Sequence, residues 1–140
     1  KKCDAAAALC APDDLIITAD TMVFLDNDRL GKPHDEDDAL RMLRELAGRG
    51  HTVCTGVSVR RGETSELFAV STRVFFRQAT DDEIRAYIKT GEPMDKAGAY
   101  GVQSRGALFV ERIDGDFFNV MGLPVKQLGL VLARFGVKLL

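Results

Sequence analysis

Between His51 and Val59 the chain reads H-T-V-C-T-G-V-S-V. Apolar and polar residues alternate with period two and β-branched residues dominate, which is the pattern of a strand with one buried face. A turn over Arg60–Ser65 follows, and Glu66–Arg77 forms a second β run with Val70, Val74 and Phe76 on one face. The spacing predicts an antiparallel hairpin.

Helical signals surround this pair. Ala39, Leu40, Leu43 and Leu46 form an apolar stripe over Asp35–Ala47, with acids Asp35–Asp38 at its start and Gly48 and Gly50 after it. That acidic run reads as a solvated first turn. Thr80-Asp81-Asp82-Glu83 is a capping box opening a helix that carries Ile84, Tyr87 and Ile88 and stops at Thr90-Gly91. Residues 2–10 favour a helix, ended by Ala11-Pro12. Leu15-Ile16-Ile17 and Met22–Leu25 read as short strands separated at Ala19-Asp20-Thr21. Gly106–Ile113 is expected as a strand, with Phe117–Met121 returning as its partner after the turn Asp114-Gly115-Asp116. A last helix starts at Gly122-Leu123-Pro124, with Leu123, Leu128, Val131 and Leu132 inward. There is no repeat and no linker, so 140 residues imply a single domain. The fold class is α/β, with a mixed β-sheet flanked by helices.

Gly91–Gln103, G-E-P-M-D-K-A-G-A-Y-G-V-Q, fits neither periodicity. Gly91, Pro93, Gly98 and Gly101 punctuate it, and a long irregular connection between ordered elements is usually functional. It carries Glu92, Asp95, Lys96, Tyr100 and Gln103, a set suited to a charged polar ligand.

Bulk properties narrow the ligand. A net charge of −2 gives no general pull toward nucleic acid polymers or anionic membranes, and no apolar run is long enough for a span. Cys3, Cys10 and Cys54 are odd in number, lack C-x-x-C spacing and read as buried reduced thiols of a cytoplasmic protein. His34 and His51 have no partner at zinc-ligand spacing. The opening K-K-C-D-A-A-A-A-L-C-A-P lacks a signal-peptide core and reads as the tail of a helix begun upstream.

Four places can carry chemistry. Asp20 lies where an apolar run stops, and fits both a working acid beyond a strand end and a turn-capping Asp. Lys32, in L-G-K-P, is either a point charge for a phosphate or a solvated lysine. Asp95 and Lys96 form an ion pair that either closes the loop or offers a carboxylate to a hard cation and an ammonium to phosphates. The Gln103 amide matches the N3–H donor and carbonyl acceptor of uracil or thymine, or ties the loop to its own backbone.

Together, A-D-T-M-V (19–23), L-G-K-P (30–33), A-L-R-M-L-R-E-L-A-G (39–48), H-T-V-C-T-G-V (51–57), the 91–103 segment and G-A-L-F-V-E-R-I-D-G-D-F-F-N-V-M-G-L-P (106–124) resemble the Maf family of nucleoside triphosphate pyrophosphatases, once described as septum-formation inhibitors. The resemblance implies a Maf/ITPase-like fold and hydrolysis of a nucleoside triphosphate to the monophosphate and pyrophosphate. It also implies a divalent metal, magnesium or manganese, and a homodimer. By resemblance, Asp20 is the general base and a metal contact, with Asp95 a second metal contact. Lys32 and Lys96 lie on basic positions near the triphosphate, with Lys2 a looser match. Thr21 and Gln103 mark the subgroup acting on dTTP and UTP rather than on 7-methyl-GTP. The family opens with a strand and an S-x-S-x-R-R loop that this sequence does not contain, so the chain is expected to be either a piece of a complete enzyme or an inactive form. Two other functions stay open: a non-catalytic nucleotide-binding or septum-formation regulator, and a pyrophosphatase for another modified nucleotide.

Overall fold

The structure is a computed structural model that describes all 140 residues. In chain order the elements are α1 (Lys2–Ala7), β1 (Leu15–Leu25), β2 (Asp28–Leu30), α2 (Glu36–Leu46), β3 (Gly50–Arg61), β4 (Thr64–Phe76), α3 (Asp81–Ile88), β5 (Val110–Asp114), α4 (Phe117–Met121) and α5 (Val125–Arg134). Short 3-10 turns occupy Glu92–Asp95, Ala97–Ala99 and Arg105–Phe109.

The predicted hairpin is the centre of one five-stranded sheet, ordered β2-β1-β3-β4-β5. Helices flank the sheet, as expected of the fold class, but every neighbouring pair is antiparallel rather than mixed. The reason is the crossover. The connection through α2 joins β2 to β3, which run parallel to each other, yet β1 lies between them and pairs antiparallel with both.

The inward phase of β3 is His51, Val53, Thr55, Val57 and Val59, all buried. Val53 joins a large apolar cluster with Leu40, Leu43 and Leu46 of α2, Ile84 and Ile88 of α3, and Tyr100, Val102 and Phe109. Val57 and Val59 join a smaller one with Leu128, Val131 and Leu132 of α5. Each such side chain contributes roughly 1.5–3 kcal/mol relative to exposure. Caps fix the covering helices: the Asp35 carboxylate accepts from Asp38 N at 2.7 Å, and the Thr80–Glu83 capping box is formed.

Several boundaries differ from the sequence reading. β1 runs unbroken through Asp20 and Thr21, because pairing with β3 continues from Leu15 to Phe24. Asp20 is therefore a mid-strand residue, not one beyond a strand end. α1 stops at Ala7 and buries nothing. The segment after the 91–103 loop first makes a 3-10 turn, and β5 begins only at Val110. Phe117–Met121 is a helix rather than a returning strand: Asp116 caps it by accepting from Phe118 N at 2.9 Å, and Gly122 ends it at φ +118°. Leu123 is exposed, while Leu128, Val131 and Leu132 are inward. The cysteines are free but not all internal, since Cys10 is exposed and Cys3 and Cys54 are half-buried. No helix is long and apolar enough to cross a membrane.

Candidate functional site

A cleft of about 350 Å³ opens between the middle of β1, the 96–103 segment and the end of α4. Lys2, Asp20, Thr21, Lys32, Lys96 and Gln103 all line it, although they are spread over more than 100 positions of sequence. Of the residues predicted to carry chemistry, Asp95 alone is not part of this lining.

The strand geometry sets out the first wall. Asp20 is paired with Gly56 of β3, and a Cβ built at Gly56 would meet nothing within 4 Å, so the space over Asp20 is open. The Asp20 carboxylate is exposed and takes a hydrogen bond from Lys2 Nζ at 3.0 Å. Lys2 Nζ also donates to Ala19 O at 3.3 Å. The next residue, Thr21, is paired with Thr55, and their hydroxyls are 2.9 Å apart. A second cleft of about 450 Å³, bordered by Gly56, Ser58 and Arg60, adjoins the first and shares Lys2, Ala19 and Asp20 with it.

Glu92 organises the second wall rather than facing a ligand. Its carboxylate accepts from Arg105 N at 3.2 Å, from Gly106 N at 3.0 Å and from the Tyr87 hydroxyl. Burial pushes the Glu92 carboxyl up, but hydrogen bonds from Ser104, Tyr87, Gly106 and Arg105 outweigh it and hold the pKa at about 2. The Tyr87 hydroxyl in turn accepts from Gly101 N at 3.1 Å. Gly101 lets the Lys96 stem pass over it: a Cβ there would sit 2.9 Å from Lys96 Cε. Lys96 Nζ then donates to Glu92 O at 3.1 Å and to Asp95 Oδ1 at 2.9 Å. The hydrogen bond from Lys96, with Lys32 nearby, holds the Asp95 carboxyl below its ordinary range. Ala99, at φ +63°, is the strained point of this turn.

The Gln103 side chain is exposed at the cleft and makes no hydrogen bond within the chain, so it does not tie the loop to its own backbone. Nowhere do three or more His, Cys, Asp or Glu side chains gather to hold a metal ion. Magnesium, however, commonly takes only one or two carboxylates and completes its shell with substrate phosphates and water. Both carboxylates are paired with a lysine, but only Asp20 lines the cleft, so Asp20 is the one placed for that arrangement.

Three supporting features escaped the sequence reading. His51 is fully buried, and Nε2 lies 2.7 Å from the Tyr100 hydroxyl. Thr55 is fully buried behind Thr21. Asn119 is buried at the centre of the sheet face, where Nδ2 donates to Val53 O, Val70 O and Thr72 Oγ1. His51 and Thr55 were findable, because both share the inward phase of the alternating strand. Asn119 carried only the signal of a lone amide in an apolar run, F-F-N-V-M.

The sequence profile of the Maf family, described as "Maf-like protein", matches residues 1–135. A dTTP/UTP pyrophosphatase of Bacillus velezensis is 51% identical over 127 residues, which is 91% of this chain and 67% of that protein. A dTTP/UTP pyrophosphatase of Dictyoglomus turgidum is 49% identical, covering 90% of this chain and 66% of that protein. One from Syntrophomonas wolfei is 52% identical, covering 90% and 68%. The chain thus spans about two thirds of the length of these relatives. With the profile matched over nearly every residue, and all but Asp95 of the site residues of the resemblance gathered at one cleft, the chain belongs to the Maf family.

Proposed function

We propose that the protein hydrolyses dTTP and UTP to the monophosphate and pyrophosphate, clearing nucleotide pools. The observation that carries this reading is the convergence of Asp20, Thr21, Lys32, Lys96 and Gln103 on a single cleft from three segments of the chain. The activity for which the relatives are named supports it.

Water attacks the α-phosphorus, and pyrophosphate leaves with the electron pair of the broken P–O bond. Asp20, open to the cleft, orients that water and accepts its proton. Lys2 Nζ, donating at 3.0 Å, orients that carboxylate. Lys32 and Lys96 lie along the cleft as cations for the β- and γ-phosphates. Magnesium or manganese, held by Asp20 and phosphate oxygens, would neutralise charge on the leaving group. Asp95 keeps Lys96 in place rather than supplying a second carboxylate to the ion. The Gln103 amide meets the pyrimidine edge. A homodimer in the cytoplasm completes the proposal, following the family resemblance.

The test is pyrophosphate release from dTTP, UTP, CTP and GTP. Asp20→Asn is expected to lower kcat by about 100-fold or more, and undiminished turnover removes Asp20 as base. Gln103→Ala is expected to broaden the choice of base, and an unchanged substrate profile removes its specificity role. Tight nucleotide binding without pyrophosphate release makes the protein a binding module instead.

A further inference from the structure

An exposed, unanchored glutamine cannot by itself choose between uracil and cytosine. Uracil offers an N3–H donor beside an O4 acceptor, and cytosine offers the reverse, an N3 acceptor beside an N4–H donor. A half-turn of the Gln103 amide exchanges its own donor and acceptor and satisfies either base. Discrimination requires a group in the cleft whose hydrogen-bonding sense cannot turn.

Thr21 is such a group. Thr55 Oγ1 is 3.0 Å from Asn119 O. A carbonyl only accepts, so this contact takes the single hydroxyl proton of Thr55. Thr21 Oγ1 is 2.9 Å from Thr55 Oγ1, and that contact must then take the proton of Thr21. The Asn119 main-chain carbonyl cannot swing aside, because the side-chain amide of the same residue is held by Val53 O, Val70 O and Thr72 Oγ1. It also accepts from Gly122 N at 3.0 Å, which fixes its direction. The chain of protons runs inward, from Thr21 to Thr55 to the Asn119 carbonyl. Thr21 lines the cleft, and with its proton committed inward its hydroxyl has only lone pairs to offer there.

We infer that Thr55, buried and outside the cleft, is a positioning residue that makes the Thr21 hydroxyl a fixed acceptor, so that the site takes a nucleotide presenting a hydrogen-bond donor there and rejects one presenting a lone pair. The inference rests on the nucleotide reading of the cleft. Two nucleotide groups carry the required donor: the N3–H of uracil or thymine, and a sugar hydroxyl. Cytosine N3 would bring a lone pair against a lone pair.

The experiment measures Kd by calorimetry for the α,β-methylene analogues of UTP, CTP and 3′-deoxy-UTP, which do not turn over at the scissile position. Thr55→Val leaves the Thr21 hydroxyl free to rotate and donate outward. The ratio of CTP-analogue to UTP-analogue Kd is expected to fall about tenfold, the value of one hydrogen bond, with the cytidine analogue gaining affinity while the uridine analogue loses it. A merely structural role would weaken both equally and leave the ratio unchanged. Thr55→Ser restores the hydroxyl and the wild-type ratio. In a Thr21→Val background, adding Thr55→Val changes neither ratio, because Thr55 acts only through Thr21. If the valine variant does not fold, Thr55→Ala carries the same expectation. A shift confined to the 3′-hydroxyl against 3′-deoxy comparison supports the fixed acceptor and identifies the donor as the sugar hydroxyl. If both ratios stay at wild-type values in Thr55→Val and Thr55→Ala, the inference is overturned. Failure of the wild-type protein to bind any of the three analogues overturns the nucleotide reading itself.

Discussion

Glu92→Gln is a near-isosteric change that removes the charge holding the 92–106 segment. In the native chain Oε1 accepts from Arg105 N, while Oε2 accepts from Gly106 N and the Tyr87 hydroxyl. Glutamine must place an NH₂ on one side. Put at the Oε2 position, it opposes two donors. Put at the Oε1 position, it opposes only Arg105 N–H, so this orientation is the cheaper. It forfeits one charge-assisted bond and sets two donors 3.2 Å apart. A bond to a charged acceptor is worth roughly 1.5–3 kcal/mol, and the remaining two weaken to neutral strength. The loss is about 3 kcal/mol, or a melting temperature lower by about 10 °C for a chain of this size. The effect also has a pH signature. Glu92 is held at about 2 against an ordinary 4.5, so its stabilisation is complete above about pH 4.5 and is lost as pH falls through 2. Glutamine does not titrate. The gap between wild type and Glu92→Gln, followed by urea melts, should therefore close on acidification below pH 4.5. A melting temperature within about 2 °C of wild type at pH 7, or a gap independent of pH, would refute the account of this segment.

Two further outcomes are expected. Burial, reinforced by the Arg73 charge, lowers the His51 pKa to about 4 from an ordinary 6.5. The unfolded chain takes the proton first, so stability is full above pH 6.5 and falls as pH drops toward 4, by about 3 kcal/mol; His51→Leu should flatten the stability curve between pH 6.5 and 4.5. Gly106→Ala would put a Cβ 2.2 Å from Gly101 O and 2.8 Å from the Tyr87 hydroxyl. It should cost more than tenfold in affinity for the UTP analogue while the far-ultraviolet circular dichroism stays native, and native affinity would show that the 92–106 segment does not position the site.

How far the sequence could be read follows from where its information is local. The inward phase of β3, the stripe of α2 and the Thr80–Glu83 box depend on neighbours within a few positions, and each formed as the pattern required. The Phe117–Met121 segment did not. Its aromatic and β-branched residues favour a strand, but the Asp116 cap and the Asn119 bonds to β3 and β4 hold a helix across the sheet. These partners lie 49 to 66 positions away. Asp20 was singled out by its place where an apolar run stops and by its A-D-T setting, yet β1 pairs straight through it. The division of labour inside the loop was illegible for the same reason as α4. Glu92 and Lys96 look alike as exposed loop charges, and only the positions of Tyr87, Arg105 and Gly106 assign one to scaffolding and leave the other at the cleft.

The polar row of Thr55, Thr72 and Asn119 lies on the sheet face between the two apolar clusters. The two clusters share no residue across this row, so the smaller one can open while the hydrogen-bonded row stays with the larger. α5 and the ends of β3 and β4 beneath it form one opening unit, and the larger cluster with the cleft forms another. Amide protons of Leu128–Leu132 would exchange through a partial opening that leaves the nucleotide cleft closed, while those of Val53 and Val74 would await global unfolding. The protein would then hold its cleft as a separately stable body, with α5 as a detachable cover on the far half of the sheet.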